Sequence, residues 1–244
     1  MKLHISHRSV YHYPERVRHS TQCLRLTPQS SRRQRVLSWQ LGLPARASSG
    51  RDPYGNCQHV LTLDYPHQDI TVLATGVVEV DEALADDVDD ELAPLVFLRQ
   101  TMRTTPSAAR LALAQRHAEA VRQHGRHGAL TLARALAEQS GAAKDSVGAS
   151  HALLGCLRAL AQPARYVSGY LSLADGGEVA HHNWVELWRD GVWASVDPMS
   201  LAPAGGGHVK LAVGMDELDA CPIRGLRRPS MEDMLRQAQH SAQQ

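Results

Sequence analysis

The chain has 244 residues, with 26 Lys and Arg set against 25 Asp and Glu, and 43% of its residues are hydrophobic. That length and apolar fraction suffice for one large domain or two small ones with a sizeable core. The near-zero net charge argues against a broad nucleic-acid or anionic-membrane surface.

The opening stretch MKLHISHRSVYHYPERV is polar and interrupted by charges, with no apolar signal core. No later run approaches membrane-spanning length, so a cytoplasmic protein is expected, with neither nucleic acid nor membrane as partner. The single Phe leaves Leu, Val and Ala to fill the core, with Trp and Tyr adding aromatic bulk.

Residues 1–80 read as β. VRHSTQCLRLTP, QRVLSWQLGLP, QHVLTLDYP and ITVLATGVVEV are β-rich apolar stretches, split by the turn-forming PQSSRR, ARASSGRDPYGN and PHQD. A small antiparallel sandwich or barrel is the natural product. DEALADDVDDEL, residues 81–92, is an acidic run that reads as a linker or solvated edge.

From Ala93 the pattern turns helical, opening a second domain expected over 93–228. PSAARLALAQRHAEAVRQHG and GALTLARALAEQSG carry apolar residues at three- and four-residue spacing, with Gly125, Gly128 and Gly141 as stops. A third helix is predicted from Ser146 to Ala161, with Leu153, Leu157 and Leu160 on one stripe and Pro163 beyond its end. Strands follow in ARYVSGYLSL, EVAHHNWVELW and VWASVDP, with ADGGE and RDGV as hairpin signals. The tail, 229–244, is polar. The fold class is therefore α+β.

The second hairpin can be read in register. If Asp190-Gly191 is a two-residue turn, Arg189 faces Val192, Val185 faces Val196, and Trp184 lies opposite Asp197. Side chains alternate along each strand, so Val185, Leu187, Val192, Ala194 and Val196 form an apolar face for helices to cover. The other face carries His182, Trp184, Glu186, Trp188, Trp193, Ser195 and Asp197. His182 and Asp197 become diagonal neighbours, about 7–8 Å apart along the backbone, which suits a carboxylate that orients an imidazole base. A nucleophile would complete the set, and a helix N-terminus, where free N–H groups and the peptide dipoles favour developing anions, is the place for one. The predicted helix begins at Ser146. Serine is also among the best helix caps, so capping is the competing reading of this residue.

These residues resemble a known family, the bacterial transglutaminase-like proteins, often described as candidate cysteine proteases. HALLGCLRALAQPARYVSGYL, HNWVELW with VWASVDP, and DELDACPIRG are similar to its core segments; CLRLTPQSSRRQRV and DPYGNCQHVLTL are similar to its N-terminal domain. The resemblance spans most of residues 1–228. It implies a papain-like core, helices packed on an antiparallel sheet, in which a cysteine at a helix N-terminus, a histidine and an aspartate act on amide bonds through a thioester. Carried across, His182 takes the base position and Asp197 the orienting one. The cysteine does not carry over: of the family's Gly-x-Cys-x-Asp-x-x-His only the histidine, His151, is retained, with Lys144, Ser146 and Gly148 at the other three positions.

The expectation is a degenerate homologue that binds a peptide or protein in the groove, with Trp184 and His151 as groove residues. The alternative is an amide hydrolase or acyl transferase with a Ser146–His182–Asp197 triad. Cys156 is an unsuitable replacement nucleophile, because it lies about ten residues, some 15 Å, into its helix. It reads as a packing thiol, and Cys23, Cys57 and Cys221 as scattered reduced thiols without a C-x-x-C pair. His117, His124 and His127 share a helical face without a carboxylate or cysteine at ligand spacing, so no metal is expected. No phosphate-binding glycine motif is present, and no cofactor is expected; Gly205–Gly207 reads as a loop.

Overall fold

The computed structural model describes residues 1–84, 86–88, 92–140, 145–172 and 179–227. The expected ADGGE turn, the stop at Gly141, Lys144, part of the acidic run and the polar tail lie outside the described residues. The N-terminal part folds into six strands: β1 (Lys2–Val17), β2 (Ser20–Leu24), β3 (Gln34–Gly42), β4 (Ala47–Arg51), β5 (Cys57–Leu63) and β6 (His67–Val80). They make two antiparallel sheets, ordered β1-β6-β3 and β2-β5-β4. Leu3 and Ile5 of β1, Leu24, Leu61 and Leu63, and the alternating Ile70, Val72, Ala74, Val78 and Val80 of β6 are buried together between them. This is the expected sandwich. The opening stretch, which looked only polar, supplies its longest strand: Leu3 and Ile5 alternate inward, with His7 following them on the same face, while Lys2, His4 and Arg8 turn outward.

The second part begins inside the acidic run. Asp86–Asp87 form a short strand, β7, that pairs with Trp193 and Ala194. Asp87 is buried and bound by Lys210 at 2.6 Å. Within the run, which read as a linker or solvated edge, Asp86 and Asp87 are thus a sheet edge, and Asp87 is held there by a buried ion pair. A single 3₁₀ turn, Pro94–Leu98, follows and buries Phe97.

The first predicted helix is two helices, α1 (Ala108–Arg116) and α2 (Ala118–His124), broken at His117, whose backbone leaves the helical region. Gly125, at φ 51°, ends α2, and α3 (Arg126–Ser140) begins at once. Next comes α4 (Ser146–Ala159), ended by Ala161 in the left-handed region before Pro163.

Strands β8 (Ala164–Ser172), β9 (Val179–Arg189), β10 (Val192–Val196) and β11 (His208–Gly214) complete a five-stranded antiparallel sheet, ordered β11-β8-β9-β10-β7. The β9–β10 register is the one read from sequence, Val192 opposite Arg189 through Val196 opposite Val185. Asp190 and Gly191 both take positive φ, 52° and 84°, as a type I′ turn requires. Helices cover one face only: Leu113, Leu132, Leu136, Leu153, Leu154 and Leu157 pack on Ala164, Tyr166, Val185, Leu187, Ala194 and Val196. Each such leucine stabilises the core by about 1.5–3 kcal/mol relative to exposure.

After a single-turn α5 (Glu217–Ala220), the chain crosses back. Its last described strand, β12 (Ile223–Arg227), pairs antiparallel with β2 of the N-terminal sandwich. Residues 223–227, at the end of the stretch expected as the second domain, therefore pair into the first sheet system and tie the two parts together.

Candidate functional site

The site is built where β9 passes the start of α4. On the sheet face turned away from the helices, His182 Nε2 lies 3.0 Å from Asp197 Oδ2. The diagonal placement inferred from the hairpin register is thus realised as a hydrogen bond. A third residue joins them: His208 Nε2 is 3.4 Å from the same oxygen. Asp197 also accepts from the Met199 N–H and the Ser200 hydroxyl, at 2.9 and 2.8 Å. Burial alone would raise the Asp197 carboxyl, but the bonds from His182, His208 and the Met199 N–H hold it well below the usual carboxylate range.

His182, Asp197 and His208 could each offer a metal ligand within 4.8 Å of one another. The protonation pattern opposes that use. The Gly205 N–H donates to Nδ1 of His208 at 3.1 Å, so that nitrogen presents a lone pair and the proton sits on Nε2. That proton points at Asp197. A cation at Nε2 would have to displace it and leave the Gly205 N–H facing another N–H. The cluster fits a hydrogen-bonded relay better than a metal centre.

Ser146 is on the other side of this arrangement. Its hydroxyl accepts a hydrogen bond from Asn183 Nδ2 at 3.0 Å. Asn183 and His182 are consecutive residues of β9, and consecutive strand residues turn to opposite faces. Asn183 shares its face with Val185 and Leu187, under the helices; His182 shares its own with Trp184, whose ring stacks on it at 6.4 Å. Among the described residues no hydrogen bond joins Ser146 to His182. Neither is Ser146 the helix cap: it is the first helical residue, and the cap is Asp145, whose carboxylate accepts from the Gly148 N–H at 2.7 Å.

The two expected groove residues lie elsewhere. Trp184 is fully buried among Val167, Ala204 and Val213, so it presents nothing to a groove. His151 is half-buried in α4; its Nε2 accepts from the Glu217 N–H at 3.2 Å and its ring lies 5.3 Å from that of Tyr166. Desolvation, partly opposed by Asp216 and Glu217, lowers its pKa. It braces a tyrosine and the start of α5. Cys156 is buried, directs its thiol to the Arg110 carbonyl at 3.6 Å and is pushed up to about 11 by burial, as suits a packing thiol.

A cleft of about 290 Å³ does open beside Ser146, on the helix-facing side. Tyr166, Ser168, Tyr170, His181 and Asn183 of β8 and β9 form its floor, Val147 of α4 one end, and His7, Ser9 and Tyr11 of β1 a wall. The hydroxyls of Tyr166 and Tyr170 are buried and without a hydrogen-bond partner. Leaving such a group unsatisfied costs about 1–3 kcal/mol.

Sequence reasoning passed over Asn183, Asp145, His208 and both tyrosines. For Asn183 a signal existed: the parity that turns Val185 and Leu187 toward the helices turns Asn183 there too, and His182 away.

A two-layer α+β core of helices on one face of an antiparallel sheet, with a His–Asp pair at the strand ends and a helix N-terminus nearby, defines a papain-like architecture. Comparison with known proteins agrees. Residues 3–79 match the bacterial transglutaminase-like N-terminal region, and residues 98–198 match the transglutaminase-like superfamily. The chain belongs to the bacterial transglutaminase-like family. A crystal structure of a candidate cysteine protease from Cytophaga hutchinsonii superposes with a TM-score of 0.63, at 19% identity, over 93% of this chain and 86% of that one, which shows the shared fold. An uncharacterised protein of Mycobacterium leprae is 25% identical over 262 residues, 92% of each chain. One from Mycobacterium tuberculosis is 26% identical over 270 residues, 91% of this chain and 86% of its own.

Proposed function

We propose that this chain is a degenerate transglutaminase-like protein that binds a peptide or protein segment without forming an acyl-enzyme. The observation that carries this reading is the Asn183–Ser146 hydrogen bond. The Asn183 amide engages one of the two lone pairs of the serine oxygen and holds the hydroxyl on the Asn183 side of the strand, and among the described residues no bond joins that hydroxyl to His182. A serine, unlike a thiol, needs a base in contact during attack. The cap adds a second obstacle. The α4 N-terminus would favour an oxyanion, but Asp145 already places a carboxylate there.

A second reading, a Ser146–His182–Asp197 hydrolase, is favoured by one observation, the intact 3.0 Å His182–Asp197 bond. Treatment of the purified protein with a fluorophosphonate probe separates the two. The binding reading predicts no modification of Ser146 by mass spectrometry. Labelling of Ser146 that disappears in Ser146→Ala would establish the hydrolase instead. The four cysteines are unpaired, which supports a reducing compartment, the cytoplasm, as the place of action.

A further inference from the structure

We infer that the cleft between β1 and the β8–β9 floor is where the peptide lies, in extended form, and that the hydroxyls of Tyr166 and Tyr170 donate to its backbone carbonyls. This rests on the peptide-binding reading above and assigns it a location, a conformation and a role for the N-terminal domain.

The first observation is the pair of phenols. Both side chains are about 1% exposed, both line the cleft, and neither hydroxyl has a partner among the described residues. Buried hydroxyls are nearly always bonded, so two at one cavity point to a ligand that completes them. Ser168, between them, is already engaged with His181 Nε2 at 3.0 Å.

Spacing argues for an extended chain. Tyr166, Ser168 and Tyr170 occupy successive same-face positions of β8, about 6.6–6.8 Å apart along the strand. Carbonyls that point the same way in an extended peptide recur at the same interval.

Charge narrows the chemistry further. No Lys or Arg lines the cleft, and its one carboxylate, Glu217, is paired with Arg103 at 3.1 Å. A phosphate or a nucleic acid would find no cation, whereas a neutral amide backbone finds donors. The wall opposite the floor is β1, where His7 lies 5.2 Å from the Tyr170 ring. The N-terminal sandwich therefore forms part of the binding surface, and the cleft runs to Ser146 through Asn183 and Val147.

The test uses the full chain and an array of capped peptides of randomised sequence; the strongest binder, labelled with fluorescein, is then titrated by anisotropy. Tyr166→Phe and Tyr170→Phe should each weaken binding about fivefold or more, the effect of one hydrogen bond. Both should leave the melting temperature unchanged or higher, because an unpartnered buried hydroxyl is removed; a purely structural hydroxyl would lower it. His7→Ala should also weaken binding. Peptide binding that all three variants retain at wild-type strength would overturn the cleft assignment and leave the peptide-binding reading standing. An array with no binder at all would overturn both.

Discussion

The side-chain amide of Asn183 donates to the hydroxyl of Ser146 at 3.0 Å, while the preceding residue, His182, gives its imidazole to Asp197. Two neighbours on one strand thus send their polar groups to different partners on different sides of the sheet. In a working nucleophile–base pair the hydroxyl and the imidazole would be bonded to each other.

The Asn183 bond should be a modest structural contact. Asn183→Ala is expected to lower stability by about 0.5–1.5 kcal/mol in urea unfolding, the net value of an ordinary hydrogen bond. Freeing the hydroxyl should not create amide hydrolysis, because Asp145 still occupies the helix end.

Removing the Asp145 charge is separable from removing the cap, since Asn caps as well as Asp. In a Ser146→Cys background, Asp145→Asn should speed iodoacetamide alkylation of the new thiol near neutral pH by about three- to tenfold. That corresponds to a thiol pKa lowered by about half a unit to one unit once the helix dipole acts unopposed. Site-resolved mass spectrometry distinguishes this thiol from the four native ones.

Asp197 gives a pH signature. Its folded pKa is depressed by the bonds from His182, His208 and the Met199 N–H, which outweigh burial. A depressed carboxyl contributes stability that is fully present above its unfolded pKa, about 4, and is lost as pH falls toward the folded value. Urea unfolding should therefore find the gap between the wild type and Asp197→Asn widest above about pH 5 and shrinking as pH drops toward about 2. A gap constant across that window would show that the folded carboxyl is not held low.

Gly155 reports on how α4 is seated. A Cβ there would lie 1.9 Å from the Thr104 carbonyl oxygen, a backbone atom that cannot step aside cheaply. Replacing glycine in a helix by alanine ordinarily gains up to about 1 kcal/mol. Here overpacking of about 1–3 kcal/mol should win, and Gly155→Ala should lower the melting temperature.

Much of this architecture is written in local patterns. Alternation in β6 and β9, the Asp190-Gly191 turn and the three-four spacing of α3 and α4 each state their element without tertiary help. The His182–Asp197 contact follows from counting residues outward from that turn. Other features depend on long-range partners that no window of sequence contains. Asp86 and Asp87 look like solvated linker until Trp193, Ala194 and Lys210 are placed beside them. β12 needs β2, some 200 residues earlier in the chain, to become a strand. Ser146 looked like the cap or the nucleophile because its sequence neighbours fit both; Asp145 took the first role, and the partner that engages its hydroxyl, Asn183, comes from a distant strand.

The most direct test of the central claim is the thiol pKa at position 146. Alkylation rates of Ser146→Cys, followed against pH by site-resolved mass spectrometry, should give a pKa near the ordinary value of about 8.5 or above, unchanged by His182→Gln. A pKa below about 7 that climbs when His182 is replaced would place the imidazole in contact with this position, and the account of a silenced site would be wrong.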